Sequence, residues 1–184
     1  MGARETRRFD PAIGRRLRGL RESRGVTLSA LARRAGIGKA TLSGLENGTR
    51  DPRLETMYAI AAALGVPMSA LTLDRGAPAR DASPVRGAAV VSTLLEVFEE
   101  PTATFELFAL TVEVGAEQRS PAHPDGVTEH LSVHAGRLRA GPADAPLLAG
   151  PGEHIAWRAD VPHVYAAIGG DAVQATLLIR TPRG

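Results

Sequence analysis

The sequence predicts a multidomain α plus β chain: five short helices over residues 11–73, a linker at 74–87 and an antiparallel β-barrel over 88–184. Three observations predict it. Apolar residues recur at three- and four-residue spacing as far as Leu71, the period of helices with one buried face. Past Gly87 they gather into short runs rich in Val, Leu, Phe and Thr, broken by Gly and Pro, as in a sandwich or small barrel. Charge divides at the same place. Residues 1–75 hold 14 Lys or Arg against 7 Asp or Glu, a balance of +7, and residues 76–184 hold 8 against 13, a balance of −5.

The first helix opens at Pro11, a good first-turn residue, and sets Ile13, Leu17 and Leu20 on one face. Thr27 can cap the second. The stretch LARRAGIGKATLSGLENG, Leu31 to Gly48, then has the spacing of a helix-turn-helix: Leu31, Ala35, Ile37, Leu42 and Leu45 fall where two crossing helices bury side chains. Ala32 is small at the closest approach, and Gly36 stands where the turn wants a positive φ. A fourth helix spans Leu54 to Leu64, and Pro67 opens a last one through Leu71. The Arg-rich residues 1–10 read as a disordered or DNA-contacting arm. In the β region the expected strands are 88–97, 104–114, 128–134, 137–140, 153–157, 163–168 and 173–179.

Composition excludes several chemistries. The chain of 184 residues has no cysteine, hence no disulfide framework, thiolate metal site or cysteine nucleophile. No apolar segment follows the basic N-terminus, and the longest uncharged run, Met57 to Leu73, is shorter than the roughly 20 residues of a membrane span. A cytoplasmic protein with no membrane partner is expected. The basic N-terminal module suits a polyanion.

Residues 13–71 resemble the lambda-repressor-like, xenobiotic-response-element family of five-helix DNA-binding domains, through IGRRLRGLRESRG, LSALARRAGIGKATLSGLENG and DPRLETMYAIAAALGVPMSAL. Gly38 stands where the family usually has a Ser N-cap, and glycine also caps acceptably. The resemblance implies that the third helix enters a DNA major groove. Its exposed face would offer Lys39, Ala40, Thr41, Ser43 and Gly44 to bases, with Ser29, Arg50 and Arg53 on phosphates. Glu46 is expected to face the first helix or the backbone.

All five histidines lie in the β module. Alternation over Thr128–His134 puts Glu129, Leu131 and Val133 on one face and His130, Ser132 and His134 on the other. If Leu131 and Val133 line the core, Glu129 enters it too, and a buried carboxylate must be paired, protonated or cation-bound. Trp157 reads as core.

These residues resemble the cupin family of small β-barrels: His123 and Glu129 through Gly136 follow its first motif, and PGEHIAWRADVPHVYAA, with His163, follows its second. Pro121 occupies the place of the family's first histidine, so the resemblance implies His123, Glu129 and His163 as the ligand set. That set suits one divalent metal ion, Zn, Mn, Fe or Ni. The alternatives are an organic-effector pocket lined by the same residues and a purely structural barrel. The expected function is a transcriptional regulator, not an enzyme, that binds double-stranded operator DNA as a homodimer and senses a small-molecule effector of unknown identity in its barrel. The alternative is a metal-dependent cupin enzyme, of isomerase or dioxygenase type, fused to a DNA-binding head.

Overall fold

The computed structural model describes residues 11–73, 78–79 and 82–183; the N-terminal arm and most of the linker lie outside them. Five helices come first: α1 (Pro11–Ser23), α2 (Leu28–Arg34), α3 (Lys39–Glu46), α4 (Leu54–Leu64) and α5 (Ser69–Thr72). Thr27 caps α2, its side chain accepting a hydrogen bond from the Ala30 N–H at 3.2 Å. Gly36 takes φ +65° in the turn before α3, a backbone setting in which a side chain would be strained. The apolar faces meet around Ile13, Leu17, Leu31, Leu42 and Ile60, all at most 2% exposed, each contributing roughly 1.5–3 kcal/mol by burial.

The helices are held against one another by polar clamps as well. Gly14 lets α1 cross the end of α3: a Cβ there would lie 2.4 Å from the Leu45 carbonyl oxygen. Arg16 ties α1 to α5, donating from Nε to the Leu71 carbonyl at 2.9 Å.

Ten strands follow: β1 (Val85–Arg86), β2 (Val90–Glu99), β3 (Ala103–Val112), β4 (Glu117–Ser120), β5 (Thr128–Ala135), β6 (Leu138–Pro142), β7 (Leu147–Ala149), β8 (His154–Arg158), β9 (His163–Ala167) and β10 (Val173–Pro182). They form two antiparallel sheets, ordered β1-β2-β3-β10-β5-β8 and β4-β9-β6-β7. The expected barrel is therefore a cupin-like sandwich whose two sheets share no strand ladder among the described residues. Proline explains part of this: Pro121 and Pro124 interrupt the passage from β4 to β5, and Pro162 that from β8 to β9, removing ladder donors at the corners. Strands β1, β4 and β7 were not among the expected ones, and β1 falls at the end of the segment read as linker.

Alternation along the long strands fills the space between the sheets. Glu129, Leu131 and Val133 of β5, Leu177 and Ile179 of β10, and Glu106, Phe108 and Leu110 of β3 are all buried. The helical head rests on this sandwich. Glu55 Oε1 of α4 accepts from Gln118 Nε2 at 2.8 Å and from the Ala88 N–H at 3.1 Å, and the Ser69 N–H donates to Glu106 Oε1 at 2.5 Å. Among the described residues no helix is long and apolar enough to cross a membrane.

Candidate functional site

The head presents α3 outward because its inner side is fixed on three fronts. Leu42 and Leu45 are buried against α2 and α1. Behind them Glu46, 5% exposed, accepts two bonds from Arg21, at 2.7 and 2.8 Å, and one from Arg18 at 3.3 Å. Burial pushes the Glu46 carboxyl up, but the hydrogen bonds and charges of the two arginines hold it below its ordinary value. This pairing sets the angle at which α3 leaves the bundle.

On the outer side Ser29, Lys39, Ala40, Arg50 and Arg53 are exposed, and Thr41, Ser43 and Gly44 are half-buried. They are presented by α2, α3 and the loop that follows. Three have internal neighbours. The Asn47 Nδ2 reaches Ser43 Oγ at 3.4 Å, and the Arg50 side chain crosses Gly44, where a Cβ would stand 2.9 Å from its Cδ.

In the sandwich, His123 of the β4–β5 loop, Glu129 of β5 and His163 of β9 converge, with one ligand-type atom from each all within 4.8 Å of one another. Glu129 Oε1 lies 2.9 Å from His123 Nε2 and 3.3 Å from His163 Nε2. His163 Nδ1 is bonded to the Val161 carbonyl at 2.9 Å; this places the proton on Nδ1 and leaves Nε2 as the ring atom facing the carboxylate. The Tyr165 hydroxyl donates to Glu129 Oε2. Burial pushes the Glu129 carboxyl up, but the neighbouring His163 and the bonds from both histidines hold it well below its ordinary range. Burial lowers His163, and Glu129 outweighs it, so its value is raised.

The donor set suits a divalent ion on chemistry. Two imidazole nitrogens and a carboxylate are ligands for Zn, Mn, Fe or Ni, and one such atom from each residue lies within 4.8 Å of the others. Two buried polar atoms flank the set without a hydrogen-bond partner among the described residues: Trp157 Nε1 and Ser120 Oγ. Trp157 pairs with Glu129 across β5 and β8, and Ser120 with His163 across β4 and β9.

The remaining histidines stand elsewhere. His130 and His154 stack at 5.7 Å between ring centres, and His134 reaches Thr176 Oγ1 at 2.7 Å. Sequence reasoning missed Tyr165, although its position two residues after His163 places it on the same strand face. It also missed Tyr58 of α4, whose ring meets that of His123 edge-on at 4.9 Å. Nothing local announced that contact, because it joins residues 65 positions apart in sequence.

The helix-turn-helix family pattern matches residues 17–71. The HTH-type transcriptional regulator SutR of Escherichia coli (strain K12) is 33% identical over 168 residues, covering 91% of this chain and 93% of that one. RghRB of Bacillus subtilis (strain 168), an uncharacterized HTH-type transcriptional regulator, is 33% identical over 121 residues, 65% of this chain and 80% of that one. The crystal structure of an HTH_3 family transcriptional regulator from Vibrio cholerae matches 95% of this chain and 98% of that one, with TM-score 0.78 and 26% identity. With its helix-turn-helix head, its cupin-like sandwich and this likeness running nearly end to end, the chain belongs to the XRE-type helix-turn-helix family of transcriptional regulators.

Proposed function

We propose that this regulator, acting in the cytoplasm as a homodimer, binds double-stranded operator DNA through α3, and that its sandwich senses a small molecule through a divalent metal on His123, Glu129 and His163. The observation that carries the sensor reading is the convergence of those three donors against a residue of the head, Tyr58, at 4.9 Å from His123. A ligand change at the donors is thereby in direct van der Waals communication with α4. When bound, the metal would supply a Lewis-acidic position open to an effector oxygen or nitrogen. The chain's own residues prepare that position. The Val161 carbonyl orients His163, and Tyr165 orients Glu129. Dimerisation would double the base contacts by placing two α3 helices about one DNA turn apart.

Metal analysis of the purified full chain, with operator affinity measured on zinc-loaded and chelated protein at fixed salt, tests this. Stoichiometric metal, lost in Glu129→Gln, and an operator affinity that depends on it are expected. Background metal with one operator affinity in both states would overturn the metal route. The donor set itself favours a second reading, since two histidines and a carboxylate also serve non-haem iron oxygenases. Stoichiometric iron with oxygen consumption would turn the assignment toward a metal-dependent enzyme, of dioxygenase or isomerase type, with a DNA-binding head.

A further inference from the structure

Between the helical head and the sandwich lies a crevice of about 230 Å³, walled by α4 and the α4–α5 turn on one side and by β3, β10 and the His123 loop on the other. Its walls are mostly apolar, with Ala62 and Val66 from the head facing Val127 and Ile179 from the sandwich. One charged group lines it: Glu106 of β3, 2% exposed. That carboxylate accepts the Ser69 N–H at 2.5 Å, yet no ion pair to it forms among the described residues. Contrast Glu46, which has two arginines, and Glu129, which has two histidines. Burial pushes the Glu106 carboxyl above its ordinary value, against the backbone and side-chain bonds from Ser69, the bond from Met68 and the nearby His123, which is itself engaged with Glu129.

A carboxylate in an apolar crevice is costly without a counter-charge, and the missing partner is the one thing a ligand can bring. The space takes roughly eight non-hydrogen atoms if each needs about a water's 30 Å³. We propose that the crevice binds a small organic ammonium, its cationic end on Glu106 and its hydrocarbon body between Ala62 and Ile179. Such a ligand touches the head and the sandwich at once, and Tyr58 and His123 close the same crevice. Occupancy would therefore bear both on the seating of α4 and on the histidine that holds Glu129. The link to DNA binding rests on the sensor reading above; the binding site itself does not.

The test uses the full chain, titrated with n-butylammonium and cyclohexylammonium, and with cyclohexanol as the neutral isostere, at constant ionic strength. Calorimetry and the shift in Tm are read for wild type, Glu106→Gln and Ala62→Leu. Saturable binding of an ammonium probe is expected, with cyclohexanol at least about tenfold weaker. Both variants should weaken the ammonium at least about tenfold, Glu106→Gln by removing the charge and Ala62→Leu by filling the space. Ala62→Leu leaves the Glu106–Ser69 bond in place, so it keeps the test decisive if Glu106→Gln loosens the fold. Equal binding of cyclohexanol, ammonium binding indifferent to both variants, or no saturable response by about 10 mM would each overturn the site. Operator affinity measured alongside separates the two readings. Ammonium binding with unchanged operator affinity upholds the crevice and overturns its link to DNA binding; zinc-dependent operator binding with no ammonium binding overturns the crevice and upholds the sensor reading.

Discussion

The head and the sandwich each bury a glutamate beneath their functional face, and the two are held in different ways. Glu46 is gripped by Arg21 and Arg18, whose guanidinium charges are permanent at any physiological pH. Glu129 is gripped by the Tyr165 hydroxyl and by His123 and His163, whose ring nitrogens can exchange a proton for a metal. Both carboxyls are nearly sealed from water, 5% and 1% exposed, and both lie below their ordinary values. Burial and a depressed carboxylate therefore do not distinguish a structural clamp from a binding site. What distinguishes them is whether the partners can be exchanged.

Removing the charge at each position should separate the two most widely. Glu46→Gln leaves Arg21 facing a neutral amide in a nearly closed site and should cost about 3 kcal/mol. Glu129→Gln leaves histidines that can become neutral, and should cost about 1 kcal/mol while abolishing metal binding. Urea unfolding of both variants checks this, and equal losses would erase the distinction. Gly14→Ala attacks the same α1–α3 junction sterically. Its Cβ would press on the Leu45 carbonyl at 2.4 Å, so a loss of about 1–3 kcal/mol is expected, with operator affinity falling and metal content unchanged. Loss of metal would show that the two modules do not respond independently.

Acid should expose the head's clamp. Because the folded Glu46 value is lowered, its contribution is complete above the ordinary 4.5 and disappears as pH falls through the folded value. The stability gap between wild type and Glu46→Gln should therefore stay constant at neutral pH and close on acidification. A gap that did not narrow at all as pH fell below 4.5 would mean the arginines stabilise by packing rather than by charge. Lys39→Ala, on the exposed first turn of α3, tests the proposed DNA face without touching either glutamate. If Lys39 contacts a base, operator affinity should fall by about 1–3 kcal/mol with relaxed specificity there; if it contacts phosphate, the loss is smaller and uniform across sequences. Unchanged affinity at fixed salt would remove it from the interface.

Local pattern determined the head. Its helix boundaries, the Thr27 cap, the Gly36 turn and the inward row of Leu31, Leu42 and Leu45 all follow from residues within one or two turns of each other, and short-range periodicity records such relations. The inward direction of Glu129 was equally legible, because strand alternation is a two-residue rule. Glu106, which the sequence analysis did not single out, is buried in line with Phe108 and Leu110 on the same strand face. Tertiary structure alone decided that Glu46 meets Arg21, that Tyr58 meets His123, and that Glu106 meets the Ser69 amide without an ion pair among the described residues. It also decided that the strands form two sheets instead of a closed barrel. These are contacts between segments 25 to 65 residues apart, and no local period encodes which of many buried surfaces will meet. Two of them, Tyr58 with His123 and Ser69 with Glu106, depend on how the head seats on the sandwich, where burying the apolar faces of α4 and α5 fixes the polar partners.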